Sequence, residues 1–121
     1  MIMHADFRLD GISYDRDSLL TFSHALCNAK NEYQIEVGLF LLEWLSDSPD
    51  IKLQTSGSTG NPTEIIAQKS MLTASAMTTI NTLGLLPTQK ALLCLPVRYI
   101  AAKMMLIRAL LAGLWLSLIH I

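Results

Sequence analysis

A segment rich in glycine and hydroxyl side chains, residues 54–64, separates two strand-like runs and limits how this chain can fold. It reads Gln-Thr-Ser-Gly-Ser-Thr-Gly-Asn-Pro-Thr-Glu. Glycine adopts backbone conformations closed to other residues and lets the backbone approach a ligand closely, while successive free N–H groups form an anion-binding nest. Ser56, Ser58 and Thr59 add hydroxyl donors. This is the composition of a phosphate-binding loop between two strands.

Two common nucleotide-binding loops fit this segment poorly. The Walker A loop has four residues between its two glycines and then a lysine, whereas Gly60 follows Gly57 by three residues and no lysine comes next. The dinucleotide-binding fingerprint needs a third glycine and a following helix, but the residues after this segment are typical of a strand. An ordinary hairpin turn without a ligand is the simple alternative.

The segment resembles the signature loop of the adenylate-forming superfamily, which includes acyl-CoA synthetases, aryl-CoA ligases and luciferases. The motif of that family is Thr-Ser-Gly-Ser/Thr-Thr-Gly-x-Pro-Lys. Pro62 matches it, as do six consecutive residues that the resemblance implies bind the phosphates of ATP: Thr55, Ser56, Gly57, Ser58, Thr59 and Gly60.

The lysine of that motif is absent here, because Thr63 occupies its place and Glu64 follows. A lysine beside a polyphosphate acts as a point charge. We therefore expect weaker nucleotide binding unless Lys52, Lys69 or another segment supplies the charge.

Hydrophobic periodicity predicts an α/β fold with a mixed, partly parallel sheet and helices. Residues 6–14 are predicted to form a small strand and a turn at Asp10-Gly11. Helices are predicted over residues 17–29, from a cap at Asn31 to about Leu45, from a cap at Ser70 to Gly84, and over 99–111. Strands are predicted over 51–54 and 64–68, with a buried apolar strand over 90–95. Alternation of strands and helices after residue 50 favours parallel pairing.

Composition excludes several classes of protein. A net charge of -1 provides no basic surface for nucleic acid. Cys27 and Cys94 lack metal-ligand spacing and are predicted to be buried thiols in a reducing compartment. The three histidines do not cluster, so no metal site is expected. The N-terminus lacks a secretory signal pattern, which predicts a cytoplasmic protein.

The apolar residues 104–121 raise the alternative of a small membrane-associated protein. Arg108 interrupts this run and Lys103 precedes it. A charge near the centre of a membrane span costs about 2.5–3.5 kcal/mol on insertion scales, so a buried helix without a membrane span is favoured. Lys103 and Arg108 are then interpreted as solvated charges on the polar side of that helix.

Residues 90–105 resemble most closely the short bacterial o-succinylbenzoate-CoA ligases of menaquinone biosynthesis. That resemblance implies a small carboxylic acid, ATP with Mg²⁺, and coenzyme A as substrates. Arg98 lies where many relatives carry an aromatic-His pair, and its guanidinium could hold a substrate carboxylate through two parallel hydrogen bonds. The alternative is a solvated arginine at a helix start.

The resemblance also implies the domain organisation. Residues 1–50 form a helical N-terminal region, 51–115 form an incomplete AMP-binding segment, and 116–121 resemble a translated sequencing adapter and are hypothesised to be non-native. After Leu114 the family continues into a buried strand, which we expect to be broken here. The chain is predicted to be an N-terminal fragment of the large domain, inactive alone, with its catalytic residues beyond its end and unknown. The alternative is a non-catalytic nucleotide-binding or interaction module.

Overall fold

The structure, a computed structural model, describes residues 3–54, 61 and 63–119. Within them the chain forms an α/β arrangement of ten elements. In chain order these are β1 (Arg8–Leu9), β2 (Ile12–Ser13), α1 (Arg16–Cys27), α2 (Glu32–Leu45), β3 (Asp50–Gln54), β4 (Glu64–Gln68), α3 (Lys69–Leu83), β5 (Lys90–Leu93), α4 (Ile100–Ala112) and β6 (Trp115–Leu118).

The strands form one mixed four-stranded sheet and one separate hairpin. The sheet order is β2-β1-β6-β5, with β6 parallel to both neighbours and β1 antiparallel to β2. Asp10 and Gly11 both have positive φ, as a two-residue hairpin turn requires. The hairpin consists of antiparallel β3 and β4. The predicted mixed sheet and turn are confirmed, and the first strand of the chain lies beside the last.

Local sequence explains most helix boundaries, with one error at α3. Asn31 caps α2 as predicted, accepting hydrogen bonds from the N–H groups of Tyr33 and Gln34. The left-handed Gly84 ends α3. Ser70 is not the cap, however, because α3 begins at Lys69, whose N–H donates to the Pro49 carbonyl at 2.8 Å. This tertiary hydrogen bond lets the helix start directly after β4.

The core lies where α1 and α2 pack together and beneath the four-stranded sheet. Trp44, Leu41 and Val37 of α2 are wholly buried. Gly38 allows the close approach of the two helices, since a Cβ there would lie 2.7 Å from the Ser23 carbonyl oxygen of α1. At these distances even one extra methyl group would force the helices apart.

The strand β6 corrects one prediction. We expected the strand pattern to break after Leu114, but β6 lies between β1 and β5 in the sheet, and Leu116 is buried. Its backbone pairs on both sides while its apolar side chain joins the core. The hypothesis that residues 116–121 are non-native stays a prediction, and His120 and Ile121 lie outside the described residues.

The strand β5 corrects two further predictions, those of a buried strand and of buried thiols. It ends at Leu93 and is the edge of the sheet, with Leu92 63% exposed. Cys94 is exposed and Cys27 only half-buried, so the predictions of a buried strand and of buried thiols are wrong. An apolar run looks the same in a sequence whether its second face is covered or open. Among the described residues, no helix is both long and apolar enough to cross a bilayer.

Candidate functional site

The β3–β4 hairpin carries the predicted phosphate loop at its tip. The strands pair from Asp50 opposite Gln68 to Gln54 opposite Glu64, so residues 55–63 connect their ends. Ile51 and Leu53 are buried and fix the hairpin against the core. The predicted phosphate-binding residues Thr55 to Gly60, and Pro62, lie outside the described residues. Their roles stay predictions, while the position of the two strand ends is defined.

A cleft of about 240 Å³ lies beside these strand ends, and we call it the hairpin cleft. Its walls come from three parts of the chain that are distant in sequence: the hairpin, α2, and the segment from β5 into α4. The residues lining it are Glu36, Leu39, Phe40, Glu43, Lys52, Gln54, Glu64, Val97, Arg98 and Lys103.

Three cations and three carboxylates line the hairpin cleft. Lys52 Nζ lies 3.9 Å from Glu64 Oε1, and Arg98 Nη1 lies 3.2 Å from Glu36 Oε1. The third carboxylate, Glu43, accepts a hydrogen bond from the Lys52 backbone N–H at 2.7 Å. This bond ties the middle of β3 to α2.

Lys103 is the third cation, and the sequence interpretation of it was wrong. It was expected to be a solvated charge, but it is half-buried and faces the cleft. Burial lowers the pKa of its ammonium group, an effect that the negative charges of Glu43 and Glu36 partly oppose. Among the ion pairs within 4.0 Å that the described residues form, none involves Lys103.

Arg98, the candidate for a substrate carboxylate, is held by a carboxylate of the chain itself. Its N–H donates to Glu36 Oε2 at 3.1 Å and its guanidinium donates to Oε1 at 3.2 Å. Its guanidinium carbon lies 5.1 Å from the centre of the Tyr99 ring. Contact with Tyr99, then with Glu36, raises its pKa, so it stays charged. A substrate carboxylate would have to share the guanidinium with Glu36.

A second cleft, of about 250 Å³, lies at the carboxyl end of β5 on the other side of Arg98. Its lining includes Glu36, Tyr33 and Cys94. The Tyr33 hydroxyl donates to the Leu93 carbonyl at 3.1 Å, and burial raises its pKa. Clefts at the carboxyl ends of parallel strands are the usual ligand sites of α/β folds. Arg98 lines both clefts.

Of the two lysines proposed to replace the missing lysine of the motif, the structure separates one from the loop. Lys69 lies at the base of the hairpin, where its ammonium donates to the carbonyl and hydroxyl of Ser46 at 2.9 and 3.1 Å. Burial lowers its pKa. Lys52 lies in the middle of β3 and lines the cleft, paired with Glu64.

Sequence reasoning missed Glu36, Glu43 and the position of Lys103. The two glutamates are seven residues apart in α2, which puts them on one face of the helix. That spacing in the sequence could have predicted a charged face on this helix. The sequence did not show what this face contacts, because its partners are Lys52 of β3 and Arg98 in the segment before α4.

Comparison with known proteins gives one structural match. The chain is similar to the crystal structure of an acyl-CoA synthetase (AMP-forming)/AMP-acid ligase II-like protein from Dyadobacter fermentans DSM 18053, with 36% identity and a TM-score of 0.72. The match covers 83% of this chain and 29% of that one. No protein-family model matches, and no curated protein does. The fold is that of part of such a ligase.

Proposed function

We propose that this chain is the phosphate-loop segment of an ATP-dependent acid–CoA ligase of the adenylate-forming superfamily. The observation that carries the proposal is the 36% identity to an AMP-forming acyl-CoA synthetase-like protein across 83% of the chain. The loop motif in residues 55–62 and its location between the ends of β3 and β4 support it. The whole ligase would be longer, since the chain spans 29% of the similar protein.

The proposed reaction has two steps. A carboxylate oxygen of the acid attacks the α-phosphorus of Mg-ATP, forming an acyl-adenylate and releasing pyrophosphate. The thiolate sulfur of coenzyme A then attacks the acyl carbon, and AMP leaves with the electron pair of the broken C–O bond. Both steps depend on positioning and on charge stabilisation. This chain would contribute the N–H and hydroxyl donors of Thr55 to Gly60, which hold the phosphates that leave.

The acid is proposed to be o-succinylbenzoate, used in menaquinone biosynthesis in the cytoplasm. This rests on the resemblance of residues 90–105 and on the location of Arg98 between the two clefts. The Glu36 carboxylate accepts one hydrogen bond from the Arg98 guanidinium and one from the Arg98 backbone N–H, so a carboxylate at this position meets two donors of one residue. To bind Arg98, the acid would have to displace the Glu36 carboxylate. An acid with two carboxylates could present either of them to the guanidinium.

The test is a chimera in which this chain replaces the matched segment of the Dyadobacter fermentans protein. Acid-dependent exchange of pyrophosphate into ATP is measured with o-succinylbenzoate, benzoate and acetate. We expect exchange with o-succinylbenzoate and its loss on Gly57→Val, with Gln34→Leu, at an exposed position of α2, as the control. A folded chimera without exchange for any acid that the parent protein uses contradicts the proposal. The 121-residue chain alone is expected to form no acyl-CoA.

The second candidate is a non-catalytic nucleotide-binding module. Thr63 in the place of the motif lysine favours it, because the loss of that charge weakens transition-state stabilisation. This candidate predicts ATP binding by the chimera without any pyrophosphate exchange. The two functions are therefore distinguished by the same preparation.

A further inference from the structure

We propose that the outer face of α3 and the open edge of β5 are the surface on which the remaining polypeptide of the ligase docks, an inference that rests on the proposed function. We call this the docking surface. It consists of the exposed residues between Ser70 and Gln89 together with Leu92 of β5. The occupant is a protein surface that is apolar where it meets α3 and that adds an extended strand to β5.

The docking surface lacks charge. Residues 70–89 contain no Asp, Glu, Lys, Arg or His, yet most of them are exposed. Charged side chains usually make up about a quarter or more of the surface positions of a soluble domain. A helix and connection of this length without any charge are typical of a segment that is covered in the whole protein.

The helix α3 also exposes large apolar side chains. Its buried residues are Ala76 and Ile80, which form a narrow stripe on a helix that contacts α4. Met71 near its start and Leu83 at its end are 66% and 67% exposed. Contact with an apolar protein surface would remove this area from water, which is the main favourable contribution to association of protein surfaces.

The open edge of β5 can pair with a further strand. The Trp115 N–H donates to the Gln89 carbonyl and the Ile119 N–H donates to the Leu93 carbonyl, each at 2.9 Å. Backbone groups alternate between the two sides of a strand, so the N–H and carbonyl of Leu92 point away from β6. Among the described residues, no strand lies beyond β5. The Leu92 backbone therefore faces a position that an added strand would fill.

The opposite edge of the same sheet differs from β5. There β2 consists of two residues, Ile12 and Ser13. Very short edge strands are one of the ways in which proteins prevent further pairing. In contrast, β5 has four residues, and those that follow Lys90 in it are apolar. Of the two edges, β5 is the one suited to accept another strand.

The length of the similar protein identifies the occupant. The chain matches 29% of the acyl-CoA synthetase-like protein, so most of the polypeptide of such a ligase lies outside the matched part. That polypeptide is long enough to cover one helix face and to add one strand. An uncharged helix beside an apolar strand edge is complementary to protein of this kind and offers nothing to a charged partner.

The experiment compares the full 121-residue chain with the chimera that contains the rest of the Dyadobacter fermentans protein. Amide hydrogen exchange at Leu92 is expected to be at least about a hundredfold slower in the chimera, because the N–H would be bonded to the added strand. Sedimentation velocity reports the oligomeric state of the chain alone, for which we expect a monomer. Protection of Leu92 in a dimer of the chain alone would make a second copy the occupant and overturn the inference.

Substitutions test the side chains of the docking surface. Met71→Glu and Leu92→Glu each place a charge on it. We expect each to lower the Tm of the chimera by about 5 °C or more, because the charge would be buried without a partner, and to leave the Tm of the chain alone unchanged. Ile12→Glu, at a 56% exposed position of the opposite edge, is the control and should change neither Tm.

The outcomes separate this inference from the proposed function. Rapid exchange at Leu92 in a folded chimera, or a Tm change at Met71 and Leu92 no larger than that at Ile12, overturns the inference alone. A chimera that fails to fold also overturns it, because the rest of the ligase then does not fit this surface. A folded chimera that protects Leu92 but shows no pyrophosphate exchange contradicts the proposed function instead.

Discussion

The α1–α2 helix pair and the β3–β4 hairpin are held in place by different interactions. The helix pair buries Trp44, Leu41 and Val37 completely and brings the two backbones together at Gly38. The hairpin buries two residues and otherwise depends on polar contacts, such as the Lys52 N–H to Glu43. The stabilisation from burial is proportional to the apolar area removed from water, whereas an exposed hydrogen bond contributes little net free energy to folding. Stability and ligand binding should therefore be separable by mutation.

The largest expected effect is at the centre of the helix pair. Trp44→Ala removes a side chain with no exposed surface, and the lost burial and the resulting cavity should lower the free energy of unfolding by about 3–5 kcal/mol. Urea denaturation measures this change. Leu39→Ala, in the same helix but 56% exposed, is the control. A loss below that of the control would mean that the helix pair is not the stabilising region.

Close packing of the same pair is tested next. In Gly38→Val the Cβ would lie 2.7 Å from the Ser23 oxygen and 2.8 Å from the Leu26 Cβ, so the helices must separate. Overpacking of this kind costs about 1–3 kcal/mol. Denaturant unfolding measures this cost. The nucleotide affinity of the folded variant should equal that of the unsubstituted chain. Stability equal to that of the unsubstituted chain would contradict the helix contact.

In the hairpin, a substitution should change ligand binding more than it changes stability. Glu43→Leu removes the acceptor for the Lys52 N–H, which should lower stability by only about 0.5–1.5 kcal/mol but release the middle of β3. We expect faster amide hydrogen exchange at Lys52 and weaker Mg-ATP binding. Gln34→Leu, an exposed position of the same helix, is the control. Unchanged exchange at Lys52 would show that the hairpin does not need this bond.

A smaller effect is expected at Arg98. Glu36→Gln weakens the ion pair that occupies the guanidinium. The Arg98 side chain of this pair is 52% exposed, so the pair contributes little to stability. If Arg98 binds the acid, the KM for the acid in the chimera should fall a few-fold, whereas Arg98→Met should raise it. Steady-state pyrophosphate exchange measures both. Equal KM values in the two variants would remove Arg98 from the acid site.

The smallest effect is on the pH dependence of stability. Burial lowers the pKa of Lys103 below its ordinary value of 10.5. In the window just below pH 10.5 the unfolded chain then binds more protons than the folded one, so stability due to this group rises with pH. Lys103→Met should remove that rise, as shown by unfolding at a series of pH values. A parallel pH profile for the variant would contradict the burial of the ammonium.

Several elements could be predicted from sequence because their signals are local. Asn31 caps a helix, Gly84 ends one, and Asp10-Gly11 makes a two-residue turn wherever those residues occur in such a context. The errors arose where a distant segment decides. The start of α3 depends on Pro49, and the exposure of Cys94 and Leu92 depends on no strand lying beyond β5 in the described sheet.

The residues of the candidate site also differ in whether local sequence or tertiary contacts reveal them. The phosphate-binding role of Thr55 to Gly60 was predicted from glycine and hydroxyl groups at fixed spacing, and it stays a prediction because these residues lie outside the described ones. Lys103 was taken for a surface charge, and Glu36 was missed. The residues next to Lys103 and Glu36 in the sequence do not indicate that α2 and α4 line the same cleft beside the hairpin.

The sequence by itself determined the α/β class, the hairpin that carries the loop and the resemblance to adenylate-forming enzymes, because periodicity, caps and motifs act over a few residues. Only the tertiary structure decided which charges stand beside the strand ends. Lys52 comes from β3, Arg98 from the segment between β5 and α4, and Lys103 from α4, and the packing of these parts decides which groups they contact. The burial of a charge and its distance from a carboxylate are properties of the folded chain, and they set its pKa and its availability to a ligand.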